Sequence, residues 1–445
     1  ALQGHTMRQM KDSGIEWIGE IPEGGEVRKV KKIFSIVNGS TPKSDYSDFW
    51  DGDIIWVTPA EMSDDIYIID NSKRKLTTLG YTSCGTTLVP KNSILISSRA
   101  PIGQVALAGN ELCTNQGCKA LVSNDEISEK FFCYFFKIQS SALNSLGKGT
   151  TFLELSSSEL GNFIVPYPPL EEQQRIADYL DAKCAHIDQC LELTRQSMEK
   201  LRAYKLSCIT EAVTKGLDPD VPLKDSGVPW IGQIPAGWSL TLIGRHVDIL
   251  PGFAFPSSLF NQDKGIKLLR GINLGVNCVK WDECIYYDEN ITENLKIFFL
   301  KKNDIIIGMD RPIISEGLRV AIISDNDTPS LLVQRVCRLR CKNSMHQKFL
   351  FYIIFSEIFK NSIFGATTGI SIPHISATQI SNCKSPLPSL PEQERIAAYL
   401  DKKCARIDAL LEEKQALLDK LAEYKKSLIF ECVTGKREVP SCWNR

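Results

Sequence analysis

The sequence repeats itself, and the way it repeats constrains the fold more than any other feature. Lys11–Pro22 (KDSGIEWIGEIP) returns as Lys224–Pro235 (KDSGVPWIGQIP), at a shift of 213. Leu170–Asp188 returns as Leu390–Asp408 at a shift of 220, with 14 of 19 positions identical. Its continuation, Leu201–Thr214, returns as Leu421–Thr434 and shares Tyr204/Tyr424, Lys205/Lys425 and Glu211/Glu431. Residues 24–168 and 237–388, which lie between these blocks, barely resemble each other. Simple duplication with drift would spread differences evenly. The blockwise contrast instead describes two copies of one unit, with a frame kept alike and an interior free to differ. Two like frames can build an approximate internal two-fold axis, and two unlike interiors can read two different things.

The repeated blocks predict long helices over 169–216 and 389–436. Pro166, Pro168 and Pro169 cannot continue a helix backwards, Glu171 and Glu172 suit the positive end of the helix dipole, and Gly216 followed by Pro219 stops it. In the second copy Pro388 and Pro391 mark the start, and Gly435 with Pro440 the end. Both stretches follow a seven-residue period. One seam carries Leu180, Ile187, Leu191, Met198 and Leu201; the other carries Leu400, Ile407, Leu411, Leu418 and Leu421, with Lys205 and Lys425 among the polar interruptions. At about 1.5 Å per residue each helix spans roughly 70 Å, too long to bury in one small domain. The helices most simply pack on each other, antiparallel if the internal two-fold holds. Such a rod could be a ruler, a docking platform or a dimerisation arm. Its outer charges (Arg175, Asp178, Asp181, Lys183, Arg395, Asp401, Lys403) read either as a solvated face or as a partner surface.

The two variable segments mix strand-like runs, such as Ile54–Val57, Ser93–Ser97, Asp304–Ile307 and Val320–Ile323, with helical ones at Phe131–Ile138 and His346–Phe359. The fold class expected is α+β (mixed α/β): two globular domains separated by two long helices in an antiparallel coiled coil. The domain reading is 1–23 (the N-terminal segment with the first repeat block, residues 1–6 a cloning remnant), 24–168, 169–216, 217–236 (the second copy of that block), 237–388, 389–436 and a tail 437–445. The chain carries 52 basic and 53 acidic residues, so it lacks the polybasic footprint of many DNA binders. Any nucleic-acid surface must be a local groove: residues 24–169 hold 14 basic against 15 acidic side chains, and residues 237–389 hold 17 against 13.

Loop chemistry suits such a groove. Lys43 and Ser44, Arg99, Asn115 and Gln116, and Lys148, Thr150 and Thr151 mark the first segment; Arg270 and Asn273, Arg311, Gln334 and Arg335, and Thr367 and Thr368 mark the second. Arg can bind guanine bidentately and Asn or Gln adenine, while Lys and hydroxyl groups reach phosphates. Each such residue reads equally as part of an ordinary turn.

Catalytic chemistry is not found. Gly147-Lys148-Gly149-Thr150 fails the phosphate-loop pattern because residue 142 is Ala and 149 is Gly. Five scattered histidines and fifteen cysteines without a C-x-x-C pair give no metal spacing. Asp181-Ala-Lys183 and Asp401-Lys-Lys403 have nuclease-like spacing but no upstream carboxylate partner, and Cys84, Cys113 and Cys118 have no identifiable base near in sequence. No run of eighteen apolar residues reads as a membrane span. With no signal-type stretch near the N-terminus, the cysteines read as reduced cytoplasmic thiols.

The residues that carry a family resemblance are now in view. They are the Trp-Ile-Gly-x-Ile-Pro blocks at 17–22 and 230–235, the proline-led helix starts at 168–177 and 388–397, each followed by Tyr-Leu-Asp, and Ser98-Arg-Ala-Pro101 with Asn115-Gln-Gly117 and Gln334-Arg335. Over essentially its whole length the chain resembles the specificity subunits of type I restriction-modification enzymes. The resemblance implies two target-recognition domains that each read half of a split double-stranded DNA site. It also implies a helical pair that sets the spacer and docks methyltransferase subunits, two of them, with motor-nuclease subunits joining the complex. S-adenosylmethionine, ATP and Mg are then expected in those partners, with no cofactor, metal or catalytic residue in this chain. Met309-Asp-Arg-Pro312 stands where Ser-Arg-Ala-Pro is expected, which questions whether Arg99 and Arg311 are equivalent. A coiled-coil protein scaffold without DNA binding and a self-sufficient DNA enzyme are the competing readings.

Overall fold

The computed structural model describes residues 9–63, 66–124, 126–148, 153–314, 317–365 and 374–440. It forms two compact units: unit 1 comprises 1–194 and 416–445, unit 2 comprises 195–415. Four helices organise the described residues: α1 (Glu129–Ile138), α2 (Leu170–Lys215), α3 (Gln347–Phe355) and α4 (Leu390–Val433). Each unit thus contains part of α2 and part of α4. None of the described helices is long and apolar enough to cross a membrane.

Unit 1 is built on a sheet of β1 (Phe34–Asn38), β2 (Ile94–Ser97), β3 (Val105–Ala108) and β4 (Cys118–Ser123), with Ile68–Ile69 at one edge. The spatial order is β1-β4-β2-β3-edge; the edge strand runs parallel to β3 and the other pairs are antiparallel. All four residues of β2 and of β3 are buried, which is why these strands read as continuous apolar runs rather than as an alternation. Ser128 caps α1 by accepting the Phe131 N–H, and Phe131, Phe132, Phe135 and Phe136 have no exposure. Their cluster continues into Leu180, Cys184, Ile187 and Leu191 of α2 and Leu428, Ile429, Cys432 and Val433 of α4.

Unit 2 repeats this plan with β5 (Val247–Pro251), β6 (Ile305–Gly308), β7 (Val320–Ile322) and β8 (Val336–Cys341) in the order β5-β8-β6-β7. Register makes the correspondence residue by residue. Cys118 faces Ser97 as Val336 faces Gly308, and Ile96 faces Val105 as Ile307 faces Val320. Two segments with little sequence in common share one topology, because strand burial constrains only apolarity at these positions.

Within each unit the long helices run antiparallel. In unit 1 the Lys425 ammonium binds the Asp188 carboxylate at 2.6 Å while Arg437, beyond the end of α4, reaches back to Tyr179. In unit 2 Lys205 binds Asp408 at 2.6 Å and Cys208 lies by Cys404. The lysines that interrupt both heptad seams are therefore ion-paired across the helix pair. Leu180, Ile187, Leu191, Met198, Leu400 and Ile407 are buried; Leu201, Leu411, Leu418 and Leu421 are half-buried, because a seam between just two helices leaves the flanks of its side chains open to water.

Candidate nucleic-acid interface

In unit 1 the antiparallel ladder sends the segments after β1, after β2 and before β4 to one end of the sheet. They pack closely there. A Cβ on Gly39 would collide with the carbonyl oxygens of Thr114 and Asn115, and Ser40 N–H donates to Thr114 O at 2.9 Å. The Thr41 hydroxyl donates to the Gln116 side-chain oxygen, and Asn115 Oδ1 accepts from Gly117 N–H at 2.9 Å. Lys43 and Ser44 are exposed on the same loop as Thr41. Arg99, two residues past β2, remains 46% exposed while Glu154 holds it through Nε at 3.1 Å and Nη2 at 3.0 Å. Lys148 pairs with Glu159 beside it.

Sequence reading missed the layer beneath. Lys119 has 6% exposure and donates to Asn38 Oδ1 at 2.8 Å, which also accepts from Ser157. Burial, with Arg99 adding to it and Glu154 opposing, holds the Lys119 ammonium below its ordinary value. A lysine inside an apolar strand (CKALVS) was the available signal.

Unit 2 builds the same end from different groups. Met309 N–H donates to Arg335 O at 2.9 Å as Ser98 N–H donates to Gly117 O at 2.7 Å; Ile375 N–H donates to Met309 O at 2.7 Å as Leu155 N–H donates to Ser98 O at 2.9 Å. This register puts Asp310 where Arg99 stands, His374 where Glu154 stands, Gln334 where Gln116 stands and Arg335 where Gly117 stands. A carboxylate thus takes the place of the guanidinium and an imidazole the place of the carboxylate. Asp310 bonds His374 Nδ1 at 2.6 Å and Arg335 Nε at 3.2 Å, and Arg335 is 70% exposed at φ +71°. The doubt whether Arg99 and Arg311 are equivalent is answered by this register: Arg311, exposed at φ +43°, lies one position further along.

A correction concerns Asn273. It is 2% exposed, its Oδ1 accepts the Arg270 N–H at 3.1 Å and its Nδ2 donates to Lys280 O at 3.0 Å, so its amide is used in holding the turn. Glu61 does the same for Thr58 in unit 1 (2.8 Å), which shows a structural cap at this place in both units. Arg270 sends Nη2 to Glu283 O at 2.6 Å. Thr150, Thr151, Thr367 and Thr368 lie outside the described residues. Burial pushes the Cys113 thiol up to about 11 and Cys118 to about 12, so neither carries a thiolate near neutral pH. Among the described residues no group of three His, Cys, Asp or Glu could hold a metal ion.

The family model for the type I restriction modification DNA specificity domain matches residues 22–203 and 254–420. The chain belongs to that family. Similar proteins include the type I restriction enzyme MjaIX specificity subunit of Methanocaldococcus jannaschii, 28% identical over 82% of this chain and 83% of that protein. The MjaVIII specificity subunit of the same organism is 30% identical over 70% of this chain and 72% of its own. The fold resembles a solved chain described under complex assembly and conformational transition of the type I R-M system (TM-score 0.72, 17% identity, 94% of this chain and 99% of that one). It also resembles the HsdS subunit from Thermoanaerobacter tengcongensis (TM-score 0.52, 18% identity, 94% and 98%).

In both copies of the specificity domain the repeated helix is locked to the variable segment by the same contacts. Asp181 of α2 accepts the Tyr134 hydroxyl at 2.8 Å and the Lys130 ammonium; Asp401 of α4 accepts the Tyr352 hydroxyl at 2.8 Å and the Lys348 ammonium. Gln173 Oε1 takes the Ser128 N–H at 3.0 Å, and Gln393 Oε1 takes the His346 N–H at 2.7 Å. Asp181 and Asp401 are therefore joints rather than members of a free solvated face. Lys-x-x-x-Tyr at 130–134 and 348–352 was the trace of this in the sequence, a helical i, i+4 pair within segments otherwise unalike. Asp181→Ala strands the Tyr134 hydroxyl and removes two bonds, so unit 1 is expected to lose about 2–3 kcal/mol in denaturant unfolding, while Tyr134→Phe costs about 1 kcal/mol.

Proposed function

We propose that this chain is the non-catalytic DNA-reading subunit of a type I restriction-modification complex, with each variable segment reading one half of a split double-stranded target. One observation carries the reading: equivalent sheet ends present Arg99, Gln116 and Glu154 in one unit and Asp310, Gln334, Arg335 and His374 in the other. A shared scaffold with exchanged donors and acceptors is what reading two different base sequences requires. The helical pair acts as the spacer and docks two methyltransferase subunits, through which motor-nuclease subunits join. S-adenosylmethionine, ATP and Mg belong to those partners, and the complex works in the cytoplasm. Two half-sites at fixed spacing multiply specificity, since each mismatched base pair costs about 1–3 kcal/mol.

Methylated adenines mapped in DNA from cells that carry the chain with its partners test this. Exchanging residues 24–168 for the corresponding segment of a relative is expected to change one half of the target and leave the other half and the gap intact. Both halves changing would refute the modular reading. A protein scaffold without DNA binding predicts no affinity for duplex DNA, whereas this reading predicts affinity that falls steeply with salt.

A further inference from the structure

In unit 1 Arg99 and Glu154 face each other across a single antiparallel bridge, and in unit 2 Asp310 and His374 face each other across its counterpart. The residues that follow repeat as well: Ser156 accepts the Glu159 N–H at 3.1 Å, and Ser376 accepts the Gln379 N–H at 3.1 Å. An imidazole therefore occupies the place of the Glu154 carboxylate, and it is 52% exposed. One of its nitrogens is already used. A carboxylate can only accept, so Nδ1 carries the hydrogen of the 2.6 Å bond to Asp310 Oδ1, and among the described residues Nε2 has no partner. Cations surround the pair. Arg335 Nε lies 3.2 Å from Asp310 Oδ2, Arg319 Nη1 donates to the Asp310 carbonyl oxygen at 3.3 Å, and Arg311 adjoins Asp310 in the chain. From Ile375 to Ser381 the segment that carries His374 has no charge, and Gln379 stands where unit 1 has Glu159 paired with Lys148.

We propose that His374 is a proton-linked phosphate contact: when the chain binds duplex DNA, Nε2 takes up a proton and donates to a backbone phosphate beside the half-site that unit 2 reads. This rests on the DNA-reading function proposed above and names one group within it. The chemistry selects a phosphate over a base edge. With Nδ1 spent on Asp310 the ring offers one N–H, whereas discriminating base contacts are chiefly bidentate. An imidazolium hydrogen on a phosphate oxygen makes a charge-assisted bond, and the phosphate offsets the repulsion of the guanidinium groups nearby. His374 then positions the duplex while Arg335 is left to read it. Imidazole changes charge between about pH 5 and 8, a range in which guanidinium and carboxylate groups ordinarily keep theirs. Glu154, at the same place in unit 1, would repel a phosphate, so the two half-sites are gripped unequally as pH changes.

The full chain, assembled with its partner subunits, is titrated with its cognate duplex at about pH 6 and about pH 8 and at several salt concentrations, as wild type, His374→Gln and His374→Lys. Wild type is expected to bind about tenfold more tightly at the lower pH, with the slope of log affinity against log salt steeper by about one. His374→Gln should bind weakly, with the shallower slope, at both pH values. His374→Lys should keep the tight binding at the higher pH, which a merely structural histidine would not allow. The contact is overturned if wild type binds equally at both pH values, if His374→Gln retains the wild-type pH dependence, or if His374→Lys binds no better than His374→Gln. It is also overturned if the pH effect differs between the cognate target and its single-base variants, which would make the ring a base reader. A complex that binds no duplex at any pH overturns the DNA-reading function itself, and this contact with it.

Discussion

Deleting residues 192–198 and 415–421 together shortens the unread gap in the DNA target by about three base pairs, with both half-sites unchanged. The geometry behind this is simple. Asp188–Lys425 in unit 1 and Lys205–Asp408 in unit 2 each pair α2 with α4 antiparallel, and in each pair a residue number falls on one helix as it rises on the other. By the first pair 192 lies opposite 421, and by the second 198 lies opposite 415. Removing both sevens takes out two helical turns from each strand of the rod, so the apolar seam stays in phase and both ion pairs survive. Seven residues at about 1.5 Å make roughly 10 Å, and DNA rises about 3.4 Å per base pair. Methylation should vanish from the original sites and appear at sites with the shorter gap. Deletion from α2 alone breaks the register and should abolish methylation altogether. If the paired deletion left the gap unchanged, the rod would not be a ruler.

The sequence makes the rod legible and the readers only partly so, for physical reasons. Long amphipathic helices announce themselves because the period is sustained over about four heptads and proline and glycine fix the ends of α2 at Pro169 and Gly216. The shared topology of the variable segments is hidden, because buried strands such as Ile94–Ser97 and Ile305–Gly308 need only be apolar. Turn loops were found as polar stretches, yet their internal roles were not. Asn273 reads like an adenine-binding amide but is buried as a cap, and the departure at Met309-Asp-Arg-Pro312 raises a doubt about Arg311 that only the register, which gives the Arg99 place to Asp310, can answer. The joints at Asp181 and Asp401 read in the sequence as a solvated face or a partner surface, since a helix periodicity cannot say what covers its polar face. Their partners, Tyr134 and Tyr352, come from segments that can be recognised as equivalent only in three dimensions.

Arg99→Ala is expected to weaken binding to the cognate target by about 10- to 150-fold at fixed salt, and to relax discrimination at one base pair of one half-site. Arg99 is held by two nitrogens on Glu154 and still leaves nearly half its side chain open, so the guanidinium is oriented before DNA arrives. A fork fixed in advance loses little freedom on binding a guanine edge, which is where bidentate recognition gains over a single ammonium contact. Arg99→Lys should therefore restore charge without restoring selectivity. Glu154→Gln keeps the arginine but loosens its aim, and should lower selectivity more than affinity. A phosphate contact behaves differently: affinity then falls equally for all sequences and the slope of log affinity against log salt drops by about one. Binding isotherms on the cognate target and single-base variants at several salt concentrations separate the two. In unit 2 the corresponding carboxylate, Asp310, restrains Arg335 at 3.2 Å, so Asp310→Ala should loosen Arg335 and alter selectivity only in the other half-site. Selectivity lost in both half-sites from either single change would contradict independent readers.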